Sequence, residues 1–178
     1  EMRMRVKEIP SRGIICIDDA YNASPTSVKN ALRTLRDGFK AAEGTAGTEG
    51  TEGTEGTEEA AARDQYGRTV VLLGDMLELG SASGRYHEEI IDMCLSYGFD
   101  LIGLAGPEFS GAAASAAARR GTDMSDVVLG EDAMILWEKI KDNIHAPGGS
   151  SAVVLVKGSR GMKMDYIVEQ LTTSRTEQ

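Results

Sequence analysis

Two hydrophobic periods alternate along this chain of 178 residues. Continuous apolar runs are typical of strands buried on both faces, and they occur at residues 13–18, 69–73, 101–104, 127–129 and 152–156. Between them, apolar residues recur every three or four positions, which predicts helices with one buried face at residues 28–39, 90–95, 109–116, 133–144 and 164–171. Ahead of these elements, residues 2–9 alternate between apolar and polar side chains, which predicts a half-exposed strand.

Turn and cap residues mark the ends of these elements. The predicted helix starts and ends lie at Ser24-Pro25, Gly106-Pro107, Gly98 and Gly121. The turn at residues 10–13 is too short for a crossover, so the first strand should pair antiparallel with the second at one edge. One strand followed by five strand-and-helix units predicts a Rossmann-like three-layer α/β domain over residues 1–178, with a mostly parallel six-stranded sheet and one antiparallel edge strand.

Much of the acidity of the chain lies in one repeat. The formal net charge is -9 at pH 7, and a Gly-Thr-Glu repeat with its flanks supplies six negative charges, from Glu43, Glu49, Glu52, Glu55, Glu58 and Glu59. The repeat has no apolar face, and glycine at every third position disfavours helix and strand, so we expect a disordered, self-repelling loop at about residues 43–62. It joins a helix to the next strand, which puts it at the amino-terminal edge of the sheet. Two interpretations remain open, a tolerated loop expansion and an acidic binding segment.

Charge and composition exclude several classes of function. An acidic chain without a Lys/Arg cluster argues against nucleic acid or an anionic membrane surface as a partner. No apolar run approaches the roughly 18 residues of a membrane span, and no signal peptide is visible, so we expect a cytoplasmic protein. Cys16 and Cys94 lie in apolar segments and are expected to be reduced core thiols. With His87 and His145 far apart, no metal site is expected.

The loops at the carboxyl ends of the strands are where such a sheet binds ligands. In the loop at residues 18–25, Asp18, Asp19, Tyr21 and Asn22 precede a helix N-terminus, which attracts anions. An ordinary capped helix, with the two aspartates bonded to nearby amides, is the equally open alternative. In the loop at residues 157–161, two cations and two glycines precede another helix and are suited to a carboxylate or phosphate.

A third loop, at residues 74–80, gives a weaker indication. Asp75 and Glu78 are possible site residues, or they brace the turn. His87 is a possible ligand contact, although a packed, partly exposed histidine is the more ordinary interpretation. The chain contains no G-x-x-x-x-G-K-[ST] motif, no G-x-G-x-x-G after the first buried strand and no G-x-S-x-G, so a self-sufficient nucleotide hydrolase or dehydrogenase is disfavoured.

Three motifs carry a specific resemblance. The runs DDAYNASPTSVKNAL (18–32), VLLGDMLELG (71–80) and LVKGSRGMKM (155–164), with His87 after the second, resemble the carboxyl-terminal domain of the Mur ligase family, in its branch that adds D-alanyl-D-alanine during peptidoglycan synthesis. Ser24 replaces the asparagine usual in the family but keeps an oxygen that can cap the helix.

The resemblance implies that the chain is part of a larger enzyme. Its partners would be an amino-terminal UDP-sugar domain and a central ATPase domain, and with ATP and Mg²⁺ the whole enzyme would join D-Ala-D-Ala to UDP-N-acetylmuramoyl-tripeptide through an acyl phosphate. No catalytic residue, metal ligand or firmly bound cofactor is expected in this chain alone. The motif positions imply ATP contacts at Asp19, Tyr21, Asn22 and Pro25, and dipeptide contacts at Lys157, Gly158, Ser159, Arg160 and Gly161.

Other classes of function remain open. A stand-alone nucleotide- or amino-acid-binding module without ligase activity would keep the same fold. An interaction domain that recruits a basic partner through the acidic repeat is a second alternative. For Arg160, a purely structural role would be a surface ion pair with Asp165 or Glu169.

Deleting residues 44–58 should leave the fold intact, because loop-closure entropy changes by only about 0.6 kcal/mol per doubling of loop length. Thermal unfolding of the shortened chain checks this. A fall in melting temperature beyond about 5 °C, very roughly 1–2 kcal/mol in a domain of this size, would show that the repeat packs on the domain.

Overall fold

Strands and helices alternate along the chain, as predicted. The computed structural model describes residues 4–37, 67–120 and 124–173. Its elements are β1 (Arg5–Ile9), β2 (Ile14–Asp19), α1 (Pro25–Arg36), β3 (Arg68–Gly74), α2 (Ser83–Tyr97), β4 (Leu101–Ala105), α3 (Pro107–Arg120), β5 (Val127–Gly130), α4 (Ala133–Ile140), β6 (Ala152–Lys157) and α5 (Asp165–Thr172). Four predicted features lie outside the described residues: the repeat loop, the helix position at Phe39, the cap at Gly121, and residues 2 and 3 of the first predicted strand.

The described strands form one six-stranded sheet in the order β1-β2-β6-β3-β4-β5. β1 pairs antiparallel with β2, and every other neighbouring pair is parallel. A short 3-10 turn at Pro10–Arg12 reverses the chain, so that Ile9 lies opposite Ile14. The Rossmann-like α/β architecture with one antiparallel edge strand is therefore confirmed.

Helices cover the two faces of the sheet unequally. α1, α2 and α3 pack on one face, against side chains such as Ile17, Val71 and Leu155. α4 and α5 pack on the other face, against side chains that include Cys16 and Val154. All six residues of β6 are buried, because that central strand has helices on both faces. The three-layer arrangement leaves the strand ends, rather than the sheet faces, for ligands.

Most predicted helix ends are confirmed, and one is not. Ser24 caps α1, its hydroxyl accepting from the Ser27 N–H, and the left-handed Gly98 ends α2. The apolar spacing predicted a helix to Ile144, but α4 stops at Ile140 and a turn follows, in which the Asn143 N–H donates to the Ile140 carbonyl. Ile144 is still buried, because the turn returns it to the same apolar cluster.

Both cysteines are buried and unbonded to each other, as expected. Desolvation raises the pKa of Cys16 to about 12, and full burial raises the pKa of Cys94 as well. Both thiols therefore stay protonated at neutral pH. They pack as apolar core atoms on opposite faces of the sheet.

Gly130, the last residue of β5, allows α4 to approach closely. A Cβ there would lie 2.6 Å from the Leu136 nitrogen and 2.7 Å from its Cα. These are backbone atoms of a helix, which cannot shift as easily as the end of a flexible side chain. Gly130→Ala should therefore reduce the free energy of unfolding by about 1–3 kcal/mol in urea titrations. The matched control is Gly111→Ala within α3, where a Cβ meets nothing within 4 Å and should stabilise by about 0.5–1 kcal/mol. Equal effects of both changes would contradict the close approach.

Candidate ligand-binding site

Three of the predicted site loops meet at the carboxyl edge of the sheet. They follow β2, β6 and β3, which are neighbours in that order. Ser159 joins the last two loops, since its N–H donates to the Asp75 carbonyl at 3.3 Å and its hydroxyl oxygen accepts from the Leu77 N–H at 2.9 Å. The loops that the sequence selected separately therefore form one continuous surface.

Lys157 occupies the centre of this surface, but its side chain points into the protein. It is 2% exposed, and its ammonium donates to Asp19 Oδ2 at 2.6 Å and to the Asn22 carbonyl at 2.8 Å. A direct contact between this ammonium and a dipeptide would compete with the Asp19 ion pair. In the described geometry, Lys157 instead stabilises the loop after β2 through its bonds to Asp19 and to the Asn22 carbonyl.

The two aspartates that end β2 have different partners. Asp18 accepts from the Lys7 ammonium of β1 at 2.9 Å and from the Ala20 N–H at 3.4 Å, so it matches the interpretation of a carboxylate bonded to a nearby amide. Asp19 binds Lys157, a residue distant in sequence. Sequence reasoning missed Lys7, whose only signal is its place on the neighbouring edge strand.

Asp75 braces the edge of the sheet. Its buried carboxylate accepts from the Glu108 N–H at 3.0 Å and the Phe109 N–H at 2.9 Å, at the start of α3. Burial raises the pKa of Asp75 above its ordinary 3.8, although these two bonds oppose the rise. Gly106 has a φ of 118°, and a Cβ there would lie 2.3 Å from this carboxylate, so the close approach requires glycine. Asp75 therefore has a structural contact, but its carboxylate holds the start of α3 rather than the turn at residues 74–80.

His87 holds the same loop from the other side. It is fully buried, so the expectation of partial exposure was wrong: Phe109 packs edge-on against its ring, with centroids 4.5 Å apart. Nε2 accepts from the Met76 N–H at 3.0 Å, which leaves Nδ1 to donate to the Ser83 carbonyl at 2.8 Å. Glu78 is exposed with a left-handed φ of 65°.

The outer part of the surface is an open groove. The Arg160 guanidinium lies 5.5 Å from the centroid of the Tyr21 ring, and both side chains are exposed. The groove has a volume of about 610 Å³ and is lined by Asp18, Ala20, Tyr21, Arg160, Lys163, Asp165, Tyr166 and Glu169. Within the described residues, no ion pair joins Arg160 to Asp165 or Glu169, so the structural alternative for Arg160 is not observed. A residue assigned to ATP and one assigned to the dipeptide thus share one groove.

The remaining predicted residues lie in the same loops as the Lys157–Asp19 ion pair and the groove. Asn22 is an exposed residue whose carbonyl accepts from the Lys157 ammonium, and Pro25 begins α1. Gly158 is buried, and a Cβ there would lie 2.6 Å from Met164 Cγ, whereas Gly161 is exposed beside Leu77. In the described part of the chain, no three His, Cys, Asp or Glu side chains are grouped as a metal site. No helix in that part has the length and apolar character to cross a membrane.

The mostly parallel sheet, with helices on both faces and polar loops at its carboxyl edge, defines the class, a Rossmann-like α/β domain. The chain is 30% identical over 181 residues to the UDP-N-acetylmuramoyl-tripeptide–D-alanyl-D-alanine ligase of Bacillus subtilis, a match that covers 97% of this chain. It is 28% identical to the ligase of the same name from Rickettsia prowazekii over 94% of this chain. No protein-family model matches.

Solved structures give the same result for the fold. A MurF ligase from Thermotoga maritima in complex with ADP superposes with a TM-score of 0.62 at 20% identity, over 96% of this chain. A MurF from Acinetobacter baumannii superposes with a TM-score of 0.67 at 23% identity, over the same share. In sequence and fold, the chain therefore matches the carboxyl-terminal domain of the MurF ligases, which confirms the resemblance in the motifs. The chain spans about 30% of the length of these proteins.

Lys157→Met should reduce the free energy of unfolding by about 2–4 kcal/mol, because it leaves the Asp19 carboxylate largely buried without its partner. Adding Asp19→Asn should recover part of that loss. The matched control is Lys29→Met, which breaks the more exposed Lys29–Glu89 pair at 2.7 Å and should cost about 1 kcal/mol or less. Urea titrations of the variants measure these free energies of unfolding. Equal losses for Lys157→Met and Lys29→Met would argue against a stabilising role for the buried Lys157 ion pair.

Proposed function

We propose that this chain is the carboxyl-terminal domain of an ATP-dependent, cytoplasmic ligase that joins D-Ala-D-Ala to UDP-N-acetylmuramoyl-tripeptide. The observation that carries the proposal is the match to MurF ligases along nearly the whole chain, in sequence and in fold. The amino-terminal and central domains of the enzyme would be the partners of this chain, since it spans about 30% of such proteins.

The loop after β2 fits the adenosine part of ATP. Tyr21 offers an aromatic ring that is 47% exposed, and Asn22 offers a carboxamide beside it. Both precede Pro25 at the α1 N-terminus, where the positive end of the helix dipole attracts negative charge. We assign adenosine contacts to these three residues, with Asp19 held behind them by Lys157. One of the solved MurF structures contains ADP, which supports a nucleotide in the complete enzyme.

The triphosphate needs residues that this chain does not offer in its sequence. No phosphate-cradling glycine loop ending in Lys-Ser or Lys-Thr occurs. We therefore assign the β- and γ-phosphates and Mg²⁺ to the central domain. When bound, ATP supplies the phosphoryl group that activates the tripeptide carboxylate. This chain would orient the nucleotide and the incoming dipeptide, with Arg160 and Gly161 exposed at the surface and Lys157, Gly158 and Ser159 beneath them.

A hybrid enzyme tests the proposal. This chain is fused to the amino-terminal and central domains of the Bacillus subtilis ligase in place of the segment that it matches. We expect ADP release that requires both UDP-N-acetylmuramoyl-tripeptide and D-Ala-D-Ala. The truncated relative without any replacement is the negative control, and the intact relative is the positive control. A folded hybrid that binds UDP-N-acetylmuramoyl-tripeptide but releases no ADP would count against ligase function.

The isolated 178-residue chain should show neither ATP hydrolysis nor ligation, because phosphoryl transfer depends on positioning the phosphates and neutralising their charge. A coupled assay for ADP at high protein concentration measures this. Turnover that remains proportional to the chain through several chromatography steps would contradict the division of roles and favour an independent enzyme.

A further inference from the structure

Three consecutive residues of the loop after β3 connect α2 to the loop after β6. The Asp75 carbonyl accepts from the Ser159 N–H at 3.3 Å, and the Leu77 N–H donates to the Ser159 hydroxyl oxygen at 2.9 Å. Between them, the Met76 N–H donates to Nε2 of His87 on α2 at 3.0 Å. The backbone of this short segment is therefore bonded to Ser159 on one side and to His87 on the other.

His87 can hold Met76 in only one of its protonation states. Nδ1 lies 2.8 Å from the Ser83 carbonyl, which can only accept, so the ring proton is assigned to Nδ1 and Nε2 is the acceptor. A second proton, on Nε2, would leave the buried Met76 N–H without a partner. Acidic groups face the ring from two further elements. Asp75 Oδ1, after β3, lies 3.8 Å from Nε2, and Glu108 of α3 accepts from the Ser83 hydroxyl at 2.6 Å.

The loop after β6 is packed against the same segment. A Cβ on Gly158 would lie 3.1 Å from the Gly74 Cα, so the two loops are in close contact where they leave the sheet. The Ser159 carbonyl accepts from the Met162 N–H at 2.8 Å and closes the short turn Arg160–Met162. The position of that turn therefore follows the position of Ser159.

We propose that His87 is a positioning residue, which sets the position of Arg160 through a network of hydrogen bonds. This His87 network is formed by His87, residues 75–77 and Ser159. His87 is 0% exposed, so its effect on a ligand passes through the network and not through direct contact. The role of Arg160 in the reaction rests on the proposed function, whereas the network is a property of this chain.

The first experiment tests the protonation state of His87 in the isotope-labelled full chain. Long-range proton–nitrogen spectra distinguish a protonated ring nitrogen from an unprotonated one. At neutral pH they should show His87 with a proton on Nδ1 and none on Nε2. The other histidine, His145, is exposed, and His145→Gln identifies its signals. A proton on Nε2 of His87 would overturn the proposal, because that nitrogen could not accept from Met76.

Two amide side chains of different length test the bond to Met76. The carboxamide of His87→Gln reaches about as far as Nε2 and can still accept, whereas that of His87→Asn ends near the position of Nδ1. Amide exchange at Leu77, Ser159 and Met162 should be at least about tenfold faster in His87→Asn but within about threefold of the native rate in His87→Gln. Equal exchange rates in His87→Asn and the native chain would overturn the proposal.

Thr69→Val is the matched control for a general loss of stability. Thr69 is buried near the amino-terminal edge of the sheet, where its hydroxyl donates to Asp100 Oδ2 at 2.8 Å. In this variant, exchange at Leu77 relative to Val154 in the central strand β6 should keep its native ratio. A local acceleration like that of His87→Asn would show that any destabilisation has this effect, and would overturn the network.

The hybrid enzyme connects the network to the reaction. His87→Asn should raise the KM for D-Ala-D-Ala by at least about fivefold, and His87→Gln should restore it to within about twofold of the native value. The KM for UDP-N-acetylmuramoyl-tripeptide should stay within about twofold in both variants, because the UDP-sugar is assigned to another domain. Equal increases in the two KM values, or no rescue by glutamine, would overturn the positioning role.

Failure of this proposal and failure of the ligase proposal give different results. If the hybrid is active and His87→Asn leaves the dipeptide KM unchanged, the positioning role is wrong and the ligase function stands. If the hybrid does not ligate even with the native His87, the ligase function is wrong. The positioning of Arg160 by His87 then stands or falls on the protonation state and the exchange rates in the full chain.

Discussion

A single buried ion pair, between Lys157 and Asp19, connects the loop after β6 to the loop after β2 in the candidate site. The two residues are register partners at the ends of the parallel strands β6 and β2. An ammonium at 2% exposure is unfavourable unless it is paired and hydrogen-bonded, and here Asp19 and the Asn22 carbonyl satisfy it. Because the Asn22 carbonyl is part of the contact, the path of the loop that presents Tyr21 depends on the ion pair as well.

The candidate site therefore has an inner part whose polar groups are buried and hydrogen-bonded, and an outer part in which exposed charges such as Arg160 form no salt bridge within the described residues. In the inner part, Asp75, His87 and Ser159 each bond to backbone amides, so their polar atoms are used to hold loops. In the outer part, Arg160 has an aromatic neighbour but no acidic partner within the described residues.

The fold was predictable because its signals are local, whereas the inner contacts are not. Apolar runs and cap residues such as Ser24 are read within a few positions, and they correctly predicted six strands and their helices. Lys157 and Asp19 are 138 positions apart, and nothing near Lys157 in the sequence shows that its charge is already paired. Glycines and cations before a helix predict an anion site equally well for a buried lysine and an exposed arginine. The burial of each side chain decides which of the two cations can meet a ligand, and the sequence of that loop does not show that burial.

The two cysteines have a practical consequence for measuring motion in this protein. Their high thiol pKa values and full burial make them inert to alkylation as long as the core is closed. Cys16, on β2, packs in the cluster that contains α4 and α5, whereas Cys94, on α2 itself, packs in the cluster that contains α1 to α3, so each reports on a different layer. Their alkylation rates would thus give the opening free energies of the two helical layers separately. The same inertness allows a fluorophore to be attached selectively to a third cysteine engineered on the surface.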